Sequence, residues 1–204
     1  MNNELMNTKI ETVVFDVGWV LVELDFEPLL SYLRQGNCRY NIKEVIAAID
    51  LEAHERGEMS SAMLVDRLHE LAPELDRMLV KRGWLDMFKP VMSMFDLARD
   101  LGQRYRVHLL SNVGDLHWAH LNAQHNLRAL VHDALPSFQA GVMKPHADIY
   151  RLAEERFGLQ PASTVFIDDL LPNVMAARQR GWHAIQHASP QETIQALRDL
   201  GVEC

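Results

Sequence analysis

Residues 12–22 read TVVFDVGWVLV, an apolar and mainly β-branched run that is interrupted by one carboxylate, Asp16, and one glycine, Gly18. A short apolar run of this kind predicts a strand that is buried on both faces of a parallel sheet. A charge inside such a strand is costly unless it is paired or bound to a cation. We therefore expect Asp16 at the carboxyl end of the strand, where open parallel sheets bind ligands, with Gly18 allowing a sharp turn there. A surface aspartate that merely follows a core strand is the alternative interpretation.

The chain has 204 residues, of which 48% are hydrophobic, and so fits one domain or a core domain with a smaller insertion. The formal net charge of −8 argues against a nucleic-acid partner, because nucleic-acid binding needs a basic face. Cys38 and Cys204 lack metal-binding spacing and predict free thiols in a reducing compartment. Residues 1–5 have no signal-peptide pattern and no apolar run is long enough for a bilayer span, so we expect a cytoplasmic protein without a membrane partner.

The segment from residue 26 to residue 89 predicts helices and no strand. Its helices show apolar residues at helical spacing, and one begins at a capping box formed by Asn41 and Glu44. This all-helical segment interrupts the strand pattern directly after the first strand. We predict an α/β protein in which residues 1–25 and 90–204 form a Rossmann-like core, a parallel sheet with helices on both faces, and residues 26–89 form an inserted helical cap.

Four further strands alternate with helices after residue 90. They are predicted at residues 106–110, 134–135, 164–167 and 182–186. This alternation predicts a parallel sheet with right-handed crossovers, whose strands all end at one edge. The polar residues that would gather at this edge are Asp16, Ser111, Asn112, Asp168 and Asp169, with Lys144 from the loop after the third strand.

Several carboxylates at one edge repel one another unless a cation lies among them. Oxygen ligands without cysteine favour Mg²⁺, which also binds phosphate oxygens, while Lys144 and the Ser111 hydroxyl can hold a phosphate. His117 and His120 share one helix face and offer an alternative metal pair, although a solvated helix face also explains them. The chain lacks the glycine-rich loops of nucleotide hydrolases and dehydrogenases, which leaves an aspartate nucleophile as the economical use of Asp16.

Four groups of residues, taken in order, resemble the four motifs of the haloacid dehalogenase (HAD) superfamily. They are residues 15–18, residues 110–112, residues 143–145, and Ile167-Asp168-Asp169 with Asn173. The resemblance covers nearly the whole chain, because the helical insertion lies where that superfamily carries its first type of cap. The cap segment 54–58, HERGE, and the residues around Asn112 are similar to the bacterial α-D-glucose-1-phosphate phosphatase branch.

The resemblance implies a Mg²⁺-dependent phosphatase that acts on a small phosphorylated metabolite, such as the sugar phosphate glucose 1-phosphate. Asp16 would attack phosphorus and become an aspartyl phosphate, which water then hydrolyses. The implied ligands of Mg²⁺ are the Asp16 carboxylate, the backbone carbonyl of Gly18, and Asp169. The implied phosphate-binding groups are Ser111, the backbone at Asn112, and Lys144.

The sequence departs from the superfamily pattern at Gly18. Many of these phosphatases have a second aspartate there, which acts as general acid and base, a role worth about 10²–10⁴-fold in rate. The proton for the leaving group would then come from water, from the substrate or from the cap. In the cap His54 and Glu55 are candidates. The alternative interpretation of His54 is a histidine on a helix surface without a catalytic role. Trp19 replaces an expected small residue or asparagine and would narrow the pocket or pack under the cap. Asp168 would orient the lysine or the metal waters, or cap the following turn.

Two other functions stay open at this point. A haloacid dehalogenase uses the same aspartate on carbon without a metal, although Asp169 and the turn at Gly18 suit a metal site better. The absent second aspartate instead fits a protein that binds phosphate without turnover. A Mg²⁺-dependent phosphatase for a small phosphorylated metabolite remains the leading hypothesis.

Overall fold

The computed structural model describes residues 9–204, so the amino-terminal residues 1–5 discussed above lie outside the described range. The strands are β1 (Thr12–Phe15), β2 (Val22–Leu24), β3 (Phe88–Pro90), β4 (Arg106–Ser111), β5 (Asp133–Pro136), β6 (Thr164–Asp168) and β7 (His183–Gln186). The helices are α1 (Glu27–Gln35), α2 (Ile42–Ile49), α3 (Leu51–Glu55), α4 (Ser61–Glu70), α5 (Arg77–Leu85), α6 (Met92–Leu101), α7 (Asp115–His125), α8 (Leu127–Leu130), α9 (Ser137–Ala140), α10 (Ala147–Phe157), α11 (Leu171–Gln179) and α12 (Pro190–Asp199). No helix in this part of the chain has the length and apolar character needed to cross a bilayer.

Five strands form one parallel sheet in the order β5-β4-β1-β6-β7. The central strand β1 pairs on one side with β4 and on the other with β6, and Val14 lies in register with His108 and Phe166. Because all five strands run in the same direction, their carboxyl ends share one edge of the sheet. The architecture confirms the predicted α/β class with a parallel sheet and helices.

Both faces of the sheet are covered by apolar side chains. Val13 and Phe15 of β1 belong to one buried cluster, whereas Val14 belongs to a second cluster that includes Tyr150 and Phe166. Neighbouring residues of a strand point to opposite faces, so an unbroken apolar strand is what a sheet with two covered faces requires. The fully buried side chains of β1 fix the central strand and therefore the position of the carboxylate that follows it.

The chain turns much earlier after the first strand than the apolar run 12–22 suggests. The strand β1 contains only four residues, and the carbonyl of Val17 then accepts the backbone N–H of Leu21 at 2.9 Å. The left-handed residue in this turn is Trp19, with φ 57°, whereas Gly18 has no positive φ. A Cβ atom on Gly18 would meet only the side chain of Leu24, at 3.8 Å. The sharp turn occurs where the sequence predicted it, but the residue that takes the left-handed conformation is Trp19 and not Gly18.

The helices α1–α5 lie between β2 and β3 and pack around a core of their own. Leu33, Leu64 and Trp84 are buried in this core. The helix α2 begins at the predicted capping box, in which Asn41 accepts the N–H of Glu44 while the Glu44 carboxylate accepts the N–H of Asn41. The apolar faces of these helices are therefore buried mainly against one another.

A short strand pair connects the helical segment to the sheet. The strands β2 and β3 are antiparallel, and the amine of Lys89 in β3 lies 2.7 Å from the carboxylate of Asp25, which follows β2. The strand β3 begins at Phe88, inside the segment 26–89 that was predicted to contain no strand, so that detail of the prediction is wrong. Three residues that include Pro90 are too few to show an alternating pattern.

Candidate active site

Three carboxylates meet at the carboxyl edge of the sheet. Asp16 follows β1 directly, Asp168 ends β6, and Asp169 is the next residue. One oxygen from each of the three side chains lies within 4.8 Å of the others. Acids held this close repel one another strongly, and an all-oxygen donor set suits a hard divalent cation such as Mg²⁺. The residues present therefore fit a magnesium site.

The amine of Lys144 is buried between two of these acids. Its Nζ atom lies 2.9 Å from Asp16 Oδ2 and 2.6 Å from Asp168 Oδ2, and 5.3 Å from the centre of the Phe166 ring. Burial by itself would lower the pKa of Lys144, but the two carboxylates outweigh burial and raise it. The amine therefore stays charged and is fixed beside Asp16.

The two adjacent aspartates have different surroundings. Asp168 accepts the backbone N–H of Leu170 at 2.9 Å, and the Asn173 amide donates to both of its oxygens at 3.0 and 3.1 Å. Together with the contact to Lys144, these hydrogen bonds occupy the lone pairs of the Asp168 carboxylate. Asp168 therefore orients the lysine and caps the turn before α11. Asp169 forms no ion pair within residues 9–204, and burial raises its pKa, helped by the Asp168 charge. Asp169 is thus the more available metal ligand of the pair.

Asp16 is almost entirely buried, at 7% exposure. Burial is the largest influence on its pKa and raises it to about 7, with Lys144 acting in the opposite direction and Asp168 in the same direction. The N–H of Val17 donates to Asp16 Oδ1 at 2.6 Å. A cation bound at the acidic cluster would favour the ionised form of Asp16, which is the form that can act as a nucleophile.

The loop residues after β4 lie beside this cluster. Ser111 is buried at the end of β4, and its hydroxyl forms no hydrogen bond with any residue in the described part of the chain. The Asn112 side chain donates to the Lys144 carbonyl at 2.9 Å and accepts the Lys144 N–H at 2.8 Å. Asn112 therefore holds the lysine loop in place through its side chain, a role that sequence reasoning missed.

The two cap candidates for proton transfer differ sharply in accessibility. His54 is completely buried, its Nδ1 atom lies 3.0 Å from the Met59 carbonyl, and its ring lies directly over Gly114. The interpretation of His54 as a helix-surface residue is wrong, and a sealed imidazole has no path to a substrate. Glu55 is only partly buried, and burial together with the charge of Asp16 raises its pKa to about 7.

Trp19 borders a cavity of about 430 Å³ that opens beside Asp169. Its side chain is 47% exposed, and its backbone N–H donates to the Val22 carbonyl at 2.6 Å. Trp19 therefore lines the cavity beside Asp169 and is not buried under the cap. A left-handed conformation costs a residue with a side chain roughly 1–2 kcal/mol, which the buried residues around this turn must offset.

His117 of α7 contacts the inserted helical segment. Its ring stacks on Trp84 at 4.7 Å, and its Nε2 atom lies 3.1 Å from the Trp84 carbonyl. Burial lowers the pKa of His117 to about 3. Within residues 9–204 the one group of three potential metal ligands is the aspartate cluster, so a metal site at His117 and His120 is not what the structure contains.

Comparisons with known proteins agree with this architecture. A family model described as haloacid dehalogenase-like hydrolase matches residues 10–181. The chain is 24% identical over 201 residues to a sesquiterpene phosphatase from Aspergillus oryzae, covering 96% of this chain and 98% of the relative. It is 24% identical over 192 residues to D-ribitol-5-phosphate phosphatase from Bacteroides thetaiotaomicron, covering 87% of this chain and 91% of that protein.

A solved structure shows the same fold. It is a HAD family enzyme from Bacteroides thetaiotaomicron in complex with magnesium and inorganic phosphate. The two structures superpose with a TM-score of 0.78 and 24% sequence identity, over 88% of this chain and 94% of the other.

Proposed function

The chain belongs to the haloacid dehalogenase-like hydrolases, and we propose that it is a Mg²⁺-dependent phosphatase that hydrolyses a small phosphorylated metabolite. One observation carries this proposal. The buried amine of Lys144 lies 2.9 Å from Asp16, and Asp16 forms with Asp168 and Asp169 a carboxylate cluster that could hold a cation. A phosphate ester needs both a metal to neutralise its charge and a cationic group to hold its oxygens. A dehalogenase that acts on carbon needs no such acidic cluster.

The metal would be held by the carboxylates of Asp16 and Asp169 and by the backbone carbonyl of Gly18. The Asp168 carboxylate is already engaged by Lys144 and by Asn173, which favours Asp169 for this role. When bound, Mg²⁺ supplies positive charge that offsets both the repulsion between the acids and the charge of the phosphoryl group.

The protein side chains carry out the covalent chemistry. A carboxylate oxygen of Asp16 attacks phosphorus while the bond from phosphorus to the ester oxygen breaks, which gives an aspartyl phosphate. Water then attacks phosphorus, the bond to Asp16 breaks, and inorganic phosphate leaves with the carboxylate restored. Lys144, the Ser111 hydroxyl and the backbone N–H at Asn112 hold the phosphoryl oxygens during both steps. Catalysis comes mainly from alignment and charge neutralisation.

We propose a sugar phosphate as the substrate, with glucose 1-phosphate as a specific candidate. The cap sequence 54–58 supports this branch, and the two relatives, named for ribitol 5-phosphate and sesquiterpene chemistry, share the phosphatase reaction. In this proposal residues 26–89 act as a cap that selects the group attached to phosphate, and residues 1–25 and 90–204 form the catalytic core. Free thiols at Cys38 and Cys204 are consistent with work in the cytoplasm.

The proposal is tested by measuring phosphate release from a panel of sugar phosphates, including glucose 1-phosphate and ribitol 5-phosphate, with Mg²⁺ or with EDTA. We expect release that requires Mg²⁺ and disappears in Asp16→Asn. Release that survives either treatment would contradict the proposal. Chloride release from chloropropionate in EDTA would instead identify a dehalogenase, and binding of phosphate without hydrolysis of p-nitrophenyl phosphate would identify a binding protein.

A further inference from the structure

The site lacks an obvious proton donor for the leaving group. The second residue after Asp16 is Gly18, which has no side chain, and His54 is sealed in the interior. Building on the proposed phosphatase function, we infer that Glu55 of the cap is the catalytic residue that protonates the leaving oxygen. The inference assigns to the cap a chemical role in addition to the selection of substrate.

The end of α3, where Glu55 lies, is fixed against the core. The hydroxyl of Ser137 donates to the Glu55 carbonyl at 2.6 Å and accepts the N–H of Val113 at 2.9 Å. Two residues further on, Gly57 adopts φ 75°, and a Cβ atom there would lie only 2.4 Å from the Phe138 carbonyl. These contacts hold the cap segment against α9 and against the loop that follows β4, next to the candidate phosphate-binding residue Asn112.

The carboxyl of Glu55 is free to act. It has no hydrogen-bond or ion-pair partner within residues 9–204 and keeps partial access to solvent. Desolvation is the largest influence that raises its pKa to about 7, followed by the charges of Asp16 on β1 and Glu52 on its own helix, while Lys144 on the loop before α10 opposes them. Glu55 therefore holds its proton at a pH where an exposed glutamate is ionised.

The neighbours of Glu55 in the cap segment are engaged elsewhere. The guanidinium of Arg56 lies 3.3 Å from the Glu52 carboxylate and 3.1 Å from the Glu58 carboxylate. The ring of His54 is buried against Gly114, as described above. Glu55 is thus the one acid of the segment 54–58 whose side chain is neither paired nor fully exposed.

The proton balance of the reaction follows directly. As Asp16 forms its bond to phosphorus and the ester bond breaks, the Glu55 proton moves to the leaving oxygen and an alcohol departs. The Glu55 carboxylate then removes a proton from the attacking water, the bond between phosphorus and Asp16 breaks, and inorganic phosphate leaves. Both side chains return to their starting states.

The test compares two esters that differ in how much they need a proton donor. Nitrophenolate leaves readily without protonation, whereas the alkoxide of ethyl phosphate does not. For Glu55→Gln we expect kcat on ethyl phosphate to fall by about 10²-fold or more, with p-nitrophenyl phosphate nearly unaffected. The exposed cap residue Glu70 provides the matched control, because Glu70→Gln makes the same substitution at a surface position of the cap and should change neither rate.

The outcomes separate this inference from the proposed phosphatase function. If the unmodified protein hydrolyses neither ester, the phosphatase proposal fails. If it hydrolyses both and Glu55→Gln loses both equally, or loses neither, only the role of Glu55 is overturned. The pH profile adds a second readout: kcat for ethyl phosphate should fall on the alkaline side in the unmodified protein and in Glu55→Asp, and Glu55→Gln should lack that limb. Persistence of the limb in Glu55→Gln would also overturn the inference.

Discussion

Replacing Asp16 by asparagine should abolish turnover and yet stabilise the metal-free protein. Burial raises the pKa of Asp16 from 3.8 to about 7, so the folded protein keeps this proton at a pH where the unfolded chain has already lost it. Stability contributed by this residue is therefore lost as the pH rises from 3.8 toward 7. Above about pH 7 Asp16 is ionised in the folded protein too, and the free energy of unfolding is lowered by the full cost of burying its charge.

The size of the effect follows from the difference between the two pKa values. Each unit is worth about 1.4 kcal/mol, which gives a penalty of about 2 kcal/mol at about pH 5.5 and about 4 kcal/mol at about pH 8.5. Asparagine carries no charge and avoids this penalty. For a chain of this length 1 kcal/mol corresponds to about 2–4 °C in Tm, so Asp16→Asn should melt about 10 °C higher at the upper pH and about half as much higher at the lower pH.

The assay is thermal denaturation in EDTA at the two pH values, with Asp100→Asn as control. Asp100 is an exposed aspartate at the end of α6, so its replacement should leave Tm nearly unchanged at both pH values. A Tm for Asp16→Asn below that of the unmodified protein at the upper pH would refute the reasoning. A difference in Tm that does not grow with pH would refute it equally.

Three further predictions follow from the site and from the contact between cap and core. Mg²⁺ should raise Tm more at the upper pH than at the lower, because Asp16 must lose its proton before it can bind a cation; thermal melts with and without the metal measure this. Unlike Asp16, Asp168 also accepts the backbone N–H of Leu170 and the Asn173 amide, so Asp168→Asn breaks this network together with the pair to Lys144. It should lower the free energy of unfolding by about 3 kcal/mol, measured by urea denaturation, and should lower kcat as the amine loses its fixed position. Gly114→Ala would bring a Cβ atom to 2.1 Å from the ring of His54. Displacing that ring should destabilise the protein by about 1–3 kcal/mol, and unchanged urea denaturation would show that the contact is looser than described.

The parallel sheet and the position of the acids could be predicted because each depends on a short stretch of neighbouring residues. Each short apolar run is followed directly by polar residues, as at Asp16, Ser111 and Asp168. In a sheet whose strands are parallel, residues that follow strand ends must share an edge, so three separate local signals determine one site. The structure brings Asp16 and Asp168 together on either side of the Lys144 amine.

The features that were missed depend on distant contacts. The apolar run 12–22 extends beyond β1 because Val17 and Leu21 are buried in the turn that follows the strand. A hydrophobic pattern indicates which residues are buried but not where the strand ends. The ring of His54 lies against Gly114, from a distant part of the chain, where a side chain would leave no room for it. The pairing of the Asn112 amide with the Lys144 backbone has no local sequence pattern either.

The most direct test of the account is to look for the covalent intermediate on Asp16. The protein is mixed with p-nitrophenyl phosphate and Mg²⁺, quenched rapidly in acid, digested, and analysed by mass spectrometry. We predict one added phosphoryl group on the peptide that contains Asp16, and neither adduct nor hydrolysis in Asp16→Asn. A phosphoryl group on another residue, or hydrolysis that continues in Asp16→Asn, would contradict the account.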